Sequence, residues 1–447
     1  MYTEHDTIAA QATAVGEGGI AIVRISGEKA EGIVNSIFEA RNGRPLENRV
    51  LTYGKIVGEE GAIDEAMAVL IRKPGSYTRE DVAEIQCHGS QMLVSRILSL
   101  VTAHGGRIAS PGEFTYRAFM NGRIDLTQAE AVMKMIEADS DRAMKSAMRQ
   151  LEGGVSSFVR EVEDRIIAMR AGIAATIDFP DEVDEAQSAR EIDGECARIM
   201  DRIRNACDVR MGKIDEEGIR VALYGQPNVG KSSLLNAFIG QDRAIVTSIP
   251  GTTRDVLTET VQMYGTKVII TDTAGIRSTE DEVERIGVER ARKAYHEADV
   301  RILVLDGSAI WEKQDEEIAP DMILINKSDL PLAISEEKIE ESYAGIPVFT
   351  VSSVTGDGLD DVRRQIVSST TPVFGENAVI TQARHAEAAM KACEELKNAR
   401  TAIAQNMPLD MVEIDLSRAL NLLGEITGES LNESVLDQVF SRFCVGK

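Results

Sequence analysis

The sequence predicts a multidomain chain of mixed class, α/β and all-α. An α+β N-terminal domain precedes a helical domain made from two separated segments, and an α/β domain with a parallel sheet is inserted between those segments. Three observations predict this. At 447 residues the chain exceeds what one compact core accommodates. Two blocks carry apolar residues at helical spacing, about 160 residues apart. The stretch between them alternates apolar strands with helices, a pattern that builds parallel sheets. The expected boundaries are 1–120, 121–215, 216–371 and 372–447.

Composition narrows the class. A hydrophobic fraction of 43% and a charged fraction of 27% are those of a soluble globular protein. The start, MYTEHDTIAAQ, has neither a basic opening nor an apolar core and does not read as a signal peptide. No apolar run is long enough for a bilayer span, so a cytoplasmic protein without membrane contact is expected. The five cysteines, Cys87, Cys196, Cys207, Cys393 and Cys444, are scattered and contain no CxxC. That excludes a disulfide framework or cysteine-rich zinc site. The formal net charge of -24 repels nucleic acid unless basic residues gather locally. If nucleic acid is a substrate, a partner is expected to do much of the holding.

The N-terminal stretch mixes short β-like runs (GGIAIVRISG, AIDEAMAVLIRKPG, DVAEIQCHG) with the helical QMLVSRILSLVTAHGG. Gly and Pro punctuate it, which reads as α+β. The GEGG at 16–19 reads as a tight turn before a strand, because no P-loop lysine or helix opening follows. From about 123 the texture changes. Pro180 is the only proline between Pro111 and Pro227, and Leu126, Ala129, Val132, Met133 and Ile136 recur at helical spacing. Long helices are expected to about 215, interrupted near DFPDEVD. A second helical block runs from about 378 to 443, with Leu416, Leu420 and Leu423 on one face. Each block presents an apolar stripe that must be covered, and the simplest arrangement packs the two together.

In the inserted stretch, GIRVALYG, TKVIITDTAG, VRILVLDGS, DMILINKSDL and IPVFTVSS read as strands. Ligands then belong at their carboxyl ends. GQPNVGKSS (225–233) matches GxxxxGK[ST] after a strand and before a helix. Its Asn228, Val229, Gly230, Lys231, Ser232 and Ser233 form a phosphate loop, with Lys231 reaching the β and γ oxygens and Ser232 a ligand for Mg²⁺. In the segment TSIPGTTRD, Thr247, Ser248, Ile249, Pro250, Gly251, Thr252 and Thr253 occupy the place of a switch loop, where Thr253 is the magnesium threonine by position. Asp272, Thr273, Ala274 and Gly275 (DTAG) supply a carboxylate toward the magnesium shell and a glycine for close approach to the γ-phosphate. NKSD selects the base. The Asp329 carboxylate can accept from guanine N1–H and the 2-amino group, and adenine offers neither donor. Asn326 and Lys327 brace the base and the loop, and Ser352 and Ser353 fit the last base-contacting loop. Correctly ordered, these motifs point to GTP.

One position conflicts with hydrolysis. A glutamine after DxxG orients the attacking water in Ras-type enzymes, but here Ile276 follows and cannot hydrogen-bond through its side chain. Either the chain does not hydrolyse nucleotide, or another group activates the water.

These residues resemble the TrmE-Era-EngA-type family of GTPases, in which a hydrophobic residue replaces that glutamine. Within it they resemble the tRNA-modification GTPases of the MnmE (TrmE) family. The likeness covers essentially the whole chain, including DTIAAQATAVGEGGIAIVRISG, PGEFTYRAFMNGRIDLTQAEAV, PGTTRD, DEVERIGVERA and the terminal FCVGK. It implies that the inserted domain is a Ras-like P-loop G domain and that Glu284 positions the water. It also implies that K⁺ replaces an arginine finger, held by Asn228 and backbone oxygens near Thr247, Ile249 and Thr252. The N-terminal region resembles a folate-binding and dimerisation domain for 5-formyl- or 5,10-methylene-tetrahydrofolate, with Arg24, Glu84, Arg123 and Lys447 at ligand positions. Cys444 is a candidate for a reactive role there.

The resemblance implies a homodimeric, K⁺-stimulated GTP hydrolase working with the FAD-dependent protein MnmG on tRNA. Together they would install a carboxymethylaminomethyl- or aminomethyl-type group on C5 of the wobble uridine, with folate as the carbon donor. Two alternatives share the motifs from 225 to 353. A ribosome-assembly or regulatory switch would carry a basic RNA-binding appendage, which is absent here. An inactive GTP-binding scaffold would rest on Ile276 alone.

Overall fold

In a computed structural model, the described residues are 6–241, 257–272, 293–311, 319–370, 379–430, 433–443 and 446. Their contacts divide the chain into two compact units. The first comprises 1–133, 150–194 and 391–447, and the second 134–149 and 195–390.

The first unit opens with a seven-stranded sheet ordered β3-β4-β5-β6-β2-β1-β7. The strands are β1 Ile8–Gln11, β2 Gly18–Ser26, β3 Phe38–Ala40, β4 Thr52–Gly58, β5 Gly61–Ile71, β6 Val82–Gly89 and β7 Arg107–Ile108. All pairings are antiparallel except β1 with β7. The GEGG stretch at 16–19 runs into β2, whose first two residues are Gly18 and Gly19. Alternation along β2 and β6 sends Val23, Ile25, Ile85 and Cys87 into one core with Ile33 and Ile37 of helix Ala30–Ile37 and Ile97 and Val101 of helix Gln91–Ala103. Burial, with the Asp64 carboxylate adding to it, pushes the Cys87 thiol up to about 11, so it stays protonated and inert.

A charged cluster closes the other end of this sheet. Glu113 is fully buried and accepts from Arg107 at 2.5 Å and Arg117 at 3.1 Å. Arg117 also reaches Asp6 at 2.5 Å and Glu80 at 3.2 Å. Burial would raise the Glu113 carboxyl, but hydrogen bonds from Arg107 and the Ser110 amide hold it below the ordinary glutamate value. Charges this deep are tolerated because each is paired and hydrogen-bonded.

The remainder of the first unit is helical. Gly154–Asp178 packs on Leu409–Thr427, with Arg170 donating to Glu413 at 2.7 Å. Leu416 and Leu423 are fully buried on the face expected from their spacing. The first helical stripe is shorter than its spacing suggests: Leu126 and Ala129 are buried, while Ile136, in the last turn of Leu126–Glu137, is exposed. The break near DFPDEVD falls at 179–184, between helices Gly154–Asp178 and Glu185–Ala206.

The second unit is built on a six-stranded sheet ordered β13-β12-β11-β8-β10-β9. Its strands are β8 Ile219–Tyr224, β9 Leu257–Met263, β10 Thr266–Asp272, β11 Val300–Asp306, β12 Met322–Asn326 and β13 Val348–Thr350. Every pairing is parallel except β9 with β10. β12 is buried along its whole length, as a central parallel strand must be. The turn between β9 and β10 is tied to the segment 139–142: Lys267 pairs with Asp139 at 2.5 Å, and the Arg142 amide donates to the Gly265 carbonyl at 3.0 Å. Arg142 also pairs with the buried Asp215 at 2.6 Å.

One buried carboxyl makes the helical packing sensitive to pH. Glu163 lies on the buried stripe of Gly154–Asp178. Burial, aided by the Glu429 carboxylate and opposed by Arg160, pushes it up to about 7. Its unfolded value is 4.5, so the folded state holds the proton more tightly. The stabilisation is therefore complete below the unfolded value and is lost as pH rises through 7. Glu163→Gln should raise the stability of the helical packing at pH 8 by about 1–3 kcal/mol, and the gain should shrink toward zero near pH 4.5. Thermal unfolding at several pH values reads this, and a gain independent of pH would contradict it.

Candidate functional site

The parallel strands place four loops at one edge. β8, β10, β11 and β12 end at Tyr224, Asp272, Asp306 and Asn326, and the register sets Asp272 beside Leu223 and Asp306 beside Asn326. The residues just past these ends are those of the motifs.

The phosphate loop runs from Gly225 into helix Lys231–Gln241. Positive φ at Gly225 (140°), Asn228 (65°) and Gly230 (97°) bends the chain around the loop. Glycine is required twice over. A Cβ on Gly225 would lie 2.3 Å from the Val304 carbonyl oxygen, and one on Gly230 would lie 2.2 Å from Asn326 Nδ2. Asn228 is exposed, as are Ser232 and Ser233, while Val229 and Lys231 are buried. Lys231 Nζ donates to the carbonyls of Gly225 at 2.8 Å and Gln226 at 2.7 Å, which curls it over the loop. Burial lowers its ammonium, and the Asp272 carboxylate opposes that shift. Ser232 Oγ donates to Asp272 Oδ2 at 2.7 Å. This pairs a hydroxyl and a carboxylate oxygen, a hard donor set of the kind Mg²⁺ takes alongside its own waters.

Asn326 joins the loops. Fully buried, it donates from Nδ2 to the Val229 carbonyl at 2.9 Å and accepts at Oδ1 from the Ser353 amide at 3.1 Å. Ser352 Oγ donates to Asp329 Oδ1 at 2.6 Å and accepts from the Val354 and Thr355 amides. The Asp329 carboxylate is thereby set in a fixed orientation. Lys327, at φ 67°, turns its ammonium to Asp306 Oδ2 at 2.5 Å. Sequence reasoning missed Asp306, whose only signal was an acidic residue at the end of an apolar strand.

Thr247, Ser248, Ile249, Pro250, Gly251, Thr252, Thr253, Thr273, Ala274, Gly275, Glu284, Cys444 and Lys447 lie outside the described residues. Among the described residues no group of three or more His, Cys, Asp or Glu could hold a metal ion, and no helix is long and apolar enough to cross a membrane.

In the first unit, three of the four expected folate positions come together. Arg24 on β2 and Glu84 on β6 are register partners, joined at 2.8 Å. The Arg24 guanidinium lies 5.8 Å from the ring centres of both Tyr77 and Phe114. The Arg123 guanidinium lies 4.5 Å from the Tyr77 ring, and its NH1 donates to the Tyr77 carbonyl at 3.3 Å. The Tyr77 ring thus has two guanidiniums within cation–π distance, with its hydroxyl bonded to Thr115 at 3.0 Å. Sequence reasoning missed it, because an aromatic in a Gly- and Pro-rich loop carries no periodic signal.

A largely parallel sheet with a glycine-bent GxxxxGKS loop, a buried lysine and an NKSD loop at one edge defines the P-loop GTPase class. Comparison with known proteins gives the rest. Residues 126–444 match the family model "MnmE helical domain" and residues 7–123 match "GTP-binding protein TrmE N-terminus". The chain is 40% identical to the tRNA modification GTPase MnmE of Lactiplantibacillus plantarum, over 100% of this chain and 99% of the relative. It is 43% identical to the tRNA modification GTPase MnmE of Symbiobacterium thermophilum and 42% identical to that of Clostridioides difficile, each over 99% of both chains. The chain belongs to the MnmE family of tRNA modification GTPases.

Gly230→Ala tests the loop. A left-handed φ and the collision with Asn326 should together weaken GDP binding by about tenfold or more. Equilibrium titration of the full chain with GDP reads this, and affinity equal to the wild type would refute the close approach.

Proposed function

We propose that this GTPase is K⁺-stimulated and homodimeric, and that it acts in the cytoplasm on tRNA with the FAD-dependent partner MnmG. The pair would install a carboxymethylaminomethyl- or aminomethyl-type group on C5 of the wobble uridine, with a tetrahydrofolate derivative as the one-carbon donor. The proposed domains are residues 1–120 for folate binding and dimerisation, 121–215 and 372–447 for the two helical segments, and 216–371 for the G domain. Whole-length similarity to relatives named as tRNA modification GTPases supports the tRNA substrate.

In the G domain, Lys231 would reach the β and γ oxygens, Asp329 would read guanine, and Ser352 and Ser353 would close the base loop. Ser232 and Thr253 would hold Mg²⁺, with Asp272 beside them; when bound, it neutralises charge on the phosphates. Asn228 would hold K⁺ with backbone oxygens near Thr247, Ile249 and Thr252; when bound, it supplies the positive charge that an arginine finger supplies elsewhere. Glu284 would orient the attacking water. The observation that carries this reading is the pairing of Ile276, which cannot orient water, with an exposed Asn228 at the bend of the phosphate loop. Water orientation and transition-state charge must then come from other groups.

In the N-terminal domain, Glu84 suits the amino-pyrimidine edge of a pterin. Arg24, Arg123 and Lys447 suit its glutamate carboxylates. The ring of Tyr77, with two cations close to it, fits an aromatic ligand bearing negative charge.

GTP turnover by the purified chain, in KCl and in NaCl at matched ionic strength, tests the first half. Turnover should be at least about tenfold faster in KCl, and Glu284→Ala should lower it by about 10²-fold with GTP affinity unchanged. Equal rates in the two salts would remove K⁺ from the mechanism. Calorimetric titration with 5-formyl-tetrahydrofolate tests the second half. The wild type should bind, and Glu84→Gln should weaken binding by about tenfold, the loss of one charge-assisted contact. No binding by the wild type would dismiss the folate reading.

A further inference from the structure

We propose that Asp306 is a positioning residue for guanine-nucleotide binding, acting through Lys327. The inference rests on Lys327 being part of the base-reading loop. β11 ends at Asp306, and the register places it beside Asn326, the residue before Lys327. Lys327 adopts φ 67°, a left-handed conformation disfavoured for a residue with a side chain. Its ammonium is brought to 2.5 Å from Asp306 Oδ2.

Both oxygens of the carboxylate are engaged. Oδ1 accepts from the Ser308 amide at 3.0 Å and from Ser308 Oγ at 2.7 Å, while Oδ2 faces the lysine. Ser308 thus locks the carboxylate from its own strand end, and the carboxylate locks the lysine on the next strand. Burial would raise the Asp306 carboxyl, but the Lys327 ammonium and the Ser308 donors hold it below the ordinary aspartate value, so it remains charged at neutral pH. Both side chains are partly buried, at 29% exposure for Lys327 and 20% for Asp306, which screens the pair less than a surface pair.

The consequence is preorganisation. A lysine stem loses more rotamer freedom on ordering than most side chains. If Asp306 fixes the stem before nucleotide arrives, binding does not have to, and affinity rises without any contact between Asp306 and the ligand. A group acting in this way changes nucleotide affinity and leaves the hydrolytic step alone.

The test is a double-mutant cycle on the full chain, with equilibrium titration by a fluorescent GDP analogue and GTP turnover at saturation. Asp306→Asn keeps the shape and removes the charge. It should weaken GDP binding by about fivefold to tenfold, with kcat at saturating GTP within about twofold of the wild type. Lys327→Met should also weaken binding, and adding Asp306→Asn to it should bring no further loss. Asp306→Glu, which restores the charge on a longer stem, should recover part of the affinity. Trp311 packs against the cluster formed by β11 and β12, so its fluorescence monitors the folding of each variant. Additive losses in the double variant, or wild-type affinity in Asp306→Asn, would overturn the proposal. Wild-type affinity in Lys327→Met would instead strike at the reading of Lys327 on which it rests.

Discussion

The nucleotide edge of this protein depends on one buried amide. Asn326 has no access to solvent, and its two polar atoms are spent on two other loops, the Val229 carbonyl of the phosphate loop and the Ser353 amide of the last loop. A buried amide left unpaired costs about 1–3 kcal/mol for each group, so both contacts must form together. The phosphate loop can approach this amide only because Gly230 lacks a Cβ, and Asn326 can reach it only because β11 and β12 are paired in register up to its own residue. The GKS loop and the NKSD loop are therefore fixed relative to each other by protein contacts alone, and groups held in this way cost less to order on binding.

The N-terminal sheet achieves preorganisation by a different route. There the positioned groups are long cations, Arg24 and Arg123, which would cost rotamer entropy to order. Glu84 fixes one through an ion pair across the β2–β6 ladder, and the Tyr77 ring flanks both. Tyr77 is itself held by Thr115, on the helix Glu113–Met120. That helix carries Glu113 and Arg117, members of the deep charge cluster. The buried ion network thus supports the helix behind Tyr77 and leaves Arg24 and Glu84 partly exposed.

Much of this was legible in the sequence. The parallel strands, the phosphate loop and NKSD announce themselves through short-range patterns, because a strand followed by a glycine loop and a helix is a local rule. The two helical stripes were also readable from Leu126 and Leu416, since burial of a helix face follows its own spacing. What escaped were the contacts made at long sequence separation. Asp306 meets Lys327 through strand pairing, Tyr77 meets Arg24 and Arg123 across a sheet and a loop, and Asn326 meets Val229 at a separation of 97 residues. Ile136 shows the converse error, since its spacing fits the stripe but it lies exposed in the last turn. Periodicity identifies the face a helix could bury and says nothing about where the covering partner ends.

The hairpin of β9 and β10 gives the sheet a mechanical asymmetry. At one end, β9 begins at Leu257, two positions beyond the last residue of PGTTRD in the sequence, and β10 finishes at Asp272, whose carboxylate faces Ser232. At the other end, about 23 Å away for seven residues, the turn is pinned by Lys267 to Asp139 and by the Gly265 carbonyl to Arg142. Arg142 is in turn paired to the buried Asp215, and a half-buried ion pair of this kind is expensive to break from one side. The antiparallel ladder between the two ends is continuous over seven residue pairs, and such a ladder is stiff along its length. On its other side β10 is held by β8 over five residue pairs, Asp272 beside Leu223 among them. The Asp272 end is therefore fixed by the sheet on one side and by the pinned hairpin on the other, which holds its carboxylate against Ser232.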